Sequence, residues 1–175
     1  MKLVEMMEHK ERYRCNVNAF SWREMEIIRD KRVCIIGCGG LGGFIAQALA
    51  RFGVGHITLV DGDIFRESNL NRQVFATEHS LGHNKAIVCQ EALKAINKDT
   101  EIKVEPLMLT TLNARKILQD HDLVMDGLDN VEARFIAVKY CKGLGIPFVH
   151  GAIGGFYGHV ANIFPEDDIL QYLYP

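Results

Sequence analysis

The stretch DGDIFRESNLNRQVFATEHSLGHNK, residues 61–85, concentrates groups that handle charge. It opens on the acidic pair Asp61 and Asp63, then runs through Asn69, Asn71, Arg72 and Gln73 to Lys85. A strand-to-helix connection ordinarily takes about two to six residues, so this one carries more than a turn. The cations Arg72 and Lys85 and the amides of Asn69 and Gln73 offer more anion capacity than two bridging phosphates need. They suit a triphosphate, whose extra charge needs cations that can follow it through a reaction.

The second chemical feature lies upstream. GCGGLGG, residues 37–43, fits G-x-G-x-x-G at Gly37, Gly39 and Gly42, between the β-branched run RVCII and a helical pattern over residues 41–52. Gly37 permits a tight turn, Gly39 lets backbone approach a phosphate, and Gly42 lets the helix sit close to the strand. The helix start then presents free N–H groups and a positive dipole end. A glycine turn packed for steric reasons would give the same string. The second strand, HITLV (56–60), strengthens the nucleotide reading, because Asp61 follows it where an acid for ribose hydroxyls is expected.

A third candidate is DLVMDGLDN, residues 122–130, a strand entering a loop at the same carboxyl edge of the sheet, with Asp126, Asp129 and Asn130 expected to be exposed. Magnesium takes one or two carboxylates together with substrate phosphates, and Asp129 fits that role. Capping of the following helix by Asp or Asn explains the residues equally well.

These groups need a scaffold, and the hydrophobic pattern supplies an α/β one. Short apolar runs at 32–36, 56–60, 102–107, 122–126 and 147–151 alternate with helical patterns at 41–52, 84–96 and near 131–142. This predicts a Rossmann-like, mainly parallel sheet with helices on both faces. GFYGHVANIFP (155–165) alternates as an exposed or C-terminal antiparallel strand, and SWREMEIIRDK reads as an amphipathic helix on the sheet edge. The expected organisation is a helical segment at 1–31, a nucleotide-binding unit at 32–165 and an apolar tail at 166–175.

Composition narrows the classes. Of 175 residues, 48% are hydrophobic and 24% charged, which suits a soluble folded domain. Twenty basic against 22 acidic residues give a formal charge of −2, so no global basic field exists to hold nucleic acid or an anionic membrane. No stretch reads as a signal peptide or membrane span. A cytoplasmic protein is expected, with its five cysteines reduced and unpaired. His79, His83, His150 and His159 fall on different elements, where loop hydrogen bonding is the expectation.

Taken in order, GCGGLGG, LVDGD, SNLNRQ, GHNKA and DLVMDGLDN closely resemble the ThiF/MoeB/HesA family, bacterial relatives of ubiquitin-activating enzymes, over about residues 12–165. The resemblance implies ATP- and Mg²⁺-dependent adenylation of the C-terminal glycine of a ubiquitin-fold sulfur-carrier protein ending in Gly-Gly, by a homodimer. Carried over by position, Gly37, Gly39, Gly40 and Gly42 are similar to the phosphate loop, and Asp61, with Asp63 beside it, to the ribose-binding acid. Asn69, Arg72, Gln73 and Lys85 resemble the groups that grip the triphosphate, and Asp129 the magnesium ligand. The family also has an N-terminal arginine that reaches the ATP of the other subunit. In ERYRCN the better match is Arg14, with Arg12 its rival.

Departures from the family pattern set further expectations. Many relatives carry two C-x-x-C pairs for a structural zinc; Ile169 and Tyr172 stand where the first cysteines would be, so no zinc is expected. The apolar tail is expected to be short of neighbouring structure or covered by a partner. Phe156 and Tyr157 fit either a substrate groove or plain packing on a sheet edge. Competing functions are an ATP-binding interaction module without its own chemistry, dehydration of a modified tRNA base, and a nicotinamide-dependent dehydrogenase. The last would leave Arg72 and Lys85 idle.

Overall fold

Strand β1 (Arg32–Ile36) is buried at four of its five positions and lies at the centre of a six-stranded sheet. The computed structural model describes residues 11–175, so the first ten residues of the expected N-terminal segment lie outside it. The other strands are β2 (His56–Val60), β3 (Glu101–Glu105), β4 (Leu123–Asp126), β5 (Phe148–Gly154) and β6 (Tyr157–Ile163). Their order is 3-2-1-4-5-6, parallel except for the antiparallel β5–β6 hairpin. Strand order reverses at β1, between β2 and β4, which places a crevice at the carboxyl ends of β1 and β4.

The period-two alternation of β1 builds two cores. Val33 and Ile35 face one side, with Ile57, Leu59, Ala46, Ala50 and Leu93. Cys34 and Ile36 face the other, with Val124, Leu118, Ala137 and Phe148. Helix α1 (Trp22–Arg29) precedes β1; α2 (Gly40–Phe52) and α3 (Lys85–Ile96) cover the first face. Helices α4 (Ala114–Leu118), α5 (Val131–Leu144) and α6 (Ile169–Leu173) cover the second.

Two expectations change here. The amphipathic helix α1, closed by a Ser21–Glu24 capping box, packs under the amino ends of the strands rather than along the sheet edge. Its Arg29 carbonyl sits so close to Gly55, just before β2, that a Cβ there would lie 1.7 Å from it. The tail also folds back on the chain: Leu170 is buried in the second core, while Tyr172 remains exposed. Four cysteines (34, 38, 89 and 141) are buried and Cys15 is exposed; all five are free thiols.

Gly37 has φ +89°, and a Cβ on it would lie 2.5 Å from the Gly127 carbonyl oxygen. On Gly42 a Cβ would lie 1.7 Å from the Gly37 carbonyl oxygen. Gly42→Ala is expected to destabilise the fold by about 1–3 kcal/mol through overpacking. Gly143→Ala, in a helical position with nothing within 4 Å of the new methyl group, is expected to stabilise by about 0.5–1 kcal/mol. Urea unfolding of the two variants checks the opposite signs.

Candidate nucleotide site

The site is assembled from the backbone inward. Gly39 is the N-cap of α2 and offers no side-chain cap, so the first N–H groups of that helix are left to a ligand. Asp61 holds this loop in place: one carboxylate oxygen accepts from Cys38 N–H at 2.8 Å and the other from Asp63 N–H at 2.8 Å. Asn84, N-cap of α3, donates from its side-chain amide to the carbonyls of Asp61 and Asp63. The 61–85 connection is therefore stitched at both ends to the glycine loop.

Between these elements opens a crevice of about 1140 Å³. Gly37, Gly39, Gly40, Asp61, Asp63, Arg72, Gln73, Lys85 and Asp129 all line it. Met108 and Leu109 supply apolar wall. Asn69 does not reach the crevice; it is buried and braces the connection from inside, accepting from Arg66 N–H at 2.9 Å. Gly42 lies behind the lining against Gly37.

Both cations are held by the protein's own groups. Buried Lys85 donates to Asp63 Oδ2 at 2.7 Å, and Arg72 donates to the Ser68 carbonyl at 2.8 Å and to Asn71 Oδ1 at 2.9 Å. Partial burial pushes Asp63 upward, but the bonds from Lys85 and from Ile64 N–H outweigh it and hold the carboxyl below its usual range. Gln73 is different. Its Oε1 is buried without a partner among the described residues, and its Nε2 lies 3.4 Å from where a Cβ on Gly39 would sit.

The loop after β4 separates two roles that the sequence leaves open. Asn130 is the N-cap of α5, accepting from Ala133 N–H at 2.8 Å. Asp129 lines the crevice and makes no hydrogen bond or ion pair with another described residue. Asp126, expected to be exposed, is fully buried because it is the last residue of β4 and pairs with Ile36 of the central strand β1. It accepts from Leu128 N–H and from Arg134 Nε at 3.0 Å, and pairs with His150 Nδ1 at 2.5 Å.

The histidines also depart from expectation. His150 and His159, far apart in the linear reading, meet across the β5–β6 hairpin with their Nε2 atoms 2.8 Å apart. In the hairpin register His150 opposes Ala161, so His159 is its diagonal neighbour on the same face. The sequence signal for this pairing is the turn GGFYG, which closes the hairpin at Gly155 and Phe156. Phe156 is wholly exposed at the turn, whereas Tyr157 lines the crevice.

Neither N-terminal arginine lines the crevice of its own chain. Arg12 is bonded to the Asn97 side chain and lies 3.2 Å from Asp99. Arg14 makes an exposed 3.5 Å pair with Glu11.

With this geometry in view, comparison with known proteins is decisive on ancestry: the ThiF family profile matches residues 13–174. The chain belongs to the ThiF family. It is 40% identical over 136 residues to a sulfur carrier protein adenylyltransferase of Thermus thermophilus, covering 78% of this chain and 50% of that protein. It is 31% identical over 157 residues to the tRNA threonylcarbamoyladenosine dehydratase of Escherichia coli, covering 89% and 59%. The crystal structure of that dehydratase with ATP superposes with a TM-score of 0.81 at 31% identity, over 85% of this chain and 62% of the other. The chain spans about half the length of the curated relatives it matches. No helix of the described residues is long and apolar enough to cross a membrane.

Burial is the largest influence on His150 and outweighs the pull of Asp126, so the imidazole titrates below the ordinary histidine range. The folded chain then binds fewer protons there than the unfolded chain. That contribution to stability is complete above the unfolded pKa of about 6.5 and is lost as pH falls through the folded value. His150→Gln should flatten the fall in stability between about pH 7 and 5 by up to one proton, about 1.4 kcal/mol per pH unit. Urea melts at a series of pH values test this, and equal slopes would contradict a lowered His150.

Proposed function

We propose that this ThiF-family chain binds ATP with Mg²⁺ and adenylates the C-terminal glycine carboxylate of a ubiquitin-fold sulfur carrier, releasing pyrophosphate. The observation that carries the reading is convergence. A helix N-terminus, two held cations, the Gln73 amide and an aspartate with no hydrogen bond to a described residue line one crevice. The donor set fits the nucleotide: the glycine loop receives phosphate, Asp61 the ribose, and the Gln73 amide, whose Nε2 lies beside Gly39, donates to the triphosphate.

A terminal carboxylate, with a pKa near 3.3–3.7, is already ionised at neutral pH and needs no general base. Its attack on the α-phosphorus is hindered by charge instead. Arg72 and Lys85 exchange their protein partners for phosphate oxygens, and the charge they bring offsets that of the departing pyrophosphate. Asp129 would hold Mg²⁺, which neutralises phosphate charge and fixes the geometry of the leaving group. Since Arg12 is tied to Asn97, Arg14 is the arginine we assign to the neighbouring subunit's nucleotide in a homodimer.

One observation favours a second reading: the alignment with the tRNA dehydratase covers more of the chain than that with the sulfur-carrier enzyme, 89% against 78%. The net charge of −2 weighs against a tRNA substrate.

ATP–pyrophosphate exchange with Mg²⁺, measured with a panel of Gly-Gly-ended carriers and with tRNA bearing threonylcarbamoyladenosine, separates the readings. Carrier-dependent exchange is expected, and Asp129→Ala and Arg72→Ala should each lower it by about 100-fold or more. Exchange driven by tRNA alone would select the second reading. Tight ATP binding with no exchange would favour a nucleotide-binding interaction module.

A further inference from the structure

Adenylation of an ionised carboxylate moves no proton, yet one wall of the crevice contains a chain of groups suited to receive one. Asp126 lies at its base, fully buried and ionically paired with buried Arg134. Its Oδ2 meets His150 Nδ1 at 2.5 Å, and His150 is itself fully buried. His150 Nε2 meets His159 Nε2 at 2.8 Å, and His159 lines the crevice.

Donor and acceptor counting fixes the tautomers. His150 gives its Nδ1 proton to Asp126, so its Nε2 is a bare acceptor when the ring is neutral. His159 must then donate from its own Nε2. Its Nδ1 keeps a lone pair and has no hydrogen bond with any described residue. Tyr174 packs over both rings; its hydroxyl oxygen accepts from Arg134 Nη1 at 3.0 Å and its O–H donates at 3.3 Å to His150 Nε2, sharing that lone pair with the shorter bond from His159. The charged and titratable groups facing the pair are thus Asp126 from β4, Arg134 from α5 and Tyr174 after α6. Asp126 and Arg134 offset each other, which leaves the added proton on His159 the only uncompensated charge of the cluster.

We propose that His159 Nδ1 accepts the proton of a thiol or amine nucleophile as it displaces AMP from the acyl adenylate, with His150 and Asp126 as positioning residues. This rests on the adenylation reading above. The nucleophile's lone pair forms the new bond to the acyl carbon. The acyl–oxygen bond to AMP breaks, and its electron pair leaves on the AMP phosphate. The nucleophile's proton passes to His159 Nδ1 and from there to water. The sum is acyl adenylate plus neutral thiol or neutral amine giving acyl product, AMP and one proton. Asp126 holds His150, and His150 holds His159, in the one tautomer that turns a lone pair outward.

The test supplies the intermediate ready-made. N-acetylglycylglycyl adenylate is mixed with the full chain, and AMP release is followed from about pH 6 to 8 with N-acetylcysteine as the thiol or glycinamide as the amine. The wild type is expected to accelerate release over buffer, with a rate that rises through one ionisation. His159→Gln, which keeps a donor toward His150 but cannot titrate, is expected to lose about 100-fold and to lose that ionisation from the profile. Whichever nucleophile shows the loss identifies the acceptor class. Release by His159→Gln at the wild-type rate, or no acceleration by the wild type, would overturn the proposal. Long-range proton–nitrogen NMR correlations on the wild type give a second readout independent of the variant: His159 protonated at Nδ1 rather than Nε2 at about pH 8 would also overturn it. ATP–pyrophosphate exchange by the wild type is run in parallel. His159-dependent AMP release without exchange would overturn the adenylation reading and support the proton acceptor.

Discussion

Three backbone segments meet at the base of the crevice with no room for a side chain between them. A Cβ on Gly127 would lie 2.4 Å from the Gly37 carbonyl oxygen and 2.8 Å from Gly42 Cα. This contact joins the loop after β1, the start of α2 and the loop after β4, which come from both halves of the sheet. Because it is backbone against backbone, it admits no rotamer adjustment; the whole loop must move or the contact must hold.

Charge in the crevice is arranged around the same frame. Asp61 ties backbone to backbone, Asp63 occupies Lys85, and loop oxygens occupy Arg72. Among the described residues Lys85 is balanced by the Asp63 carboxylate, whereas Arg72 is held only by neutral oxygens and keeps its charge. Phosphate at Lys85 must compete with the Asp63 carboxylate, whereas at Arg72 it replaces neutral oxygens.

Much of this was legible in the residues. The strands at 32–36 and 56–60 and the helix over α2 follow from period and glycine placement, since apolar alternation and the demands of a tight phosphate turn are local properties. The crevice lining from Gly37 to Lys85 was legible for the same reason. What escaped depended on distant partners. Asp126 looks identical to Asp129 in sequence, three residues away, and only the pairing of β4 with β1 decides which is buried. Asn69 carries the right chemistry but points inward, because a buried connection needs its own hydrogen bonds satisfied. The His150–His159 pair depends on hairpin register, Gly127 on a contact 90 residues away, and helices α4 and α6 are too short to show a period.

The four buried cysteines have a consequence outside the chemistry of the crevice. Contact with Cys89 and then burial push the Cys38 thiol up, burial does the same to Cys34, and Cys141 is raised to about 12. Such thiols give little thiolate at neutral pH and react slowly. Cys15, exposed and adjacent to Arg14, is left as the addressable sulfur of the native chain. A maleimide dye or nitroxide attached there would sit at the segment assigned to a neighbouring subunit without any cysteine being removed. The unmodified sequence thus already contains one labelling position from which to measure whether two copies of the chain associate.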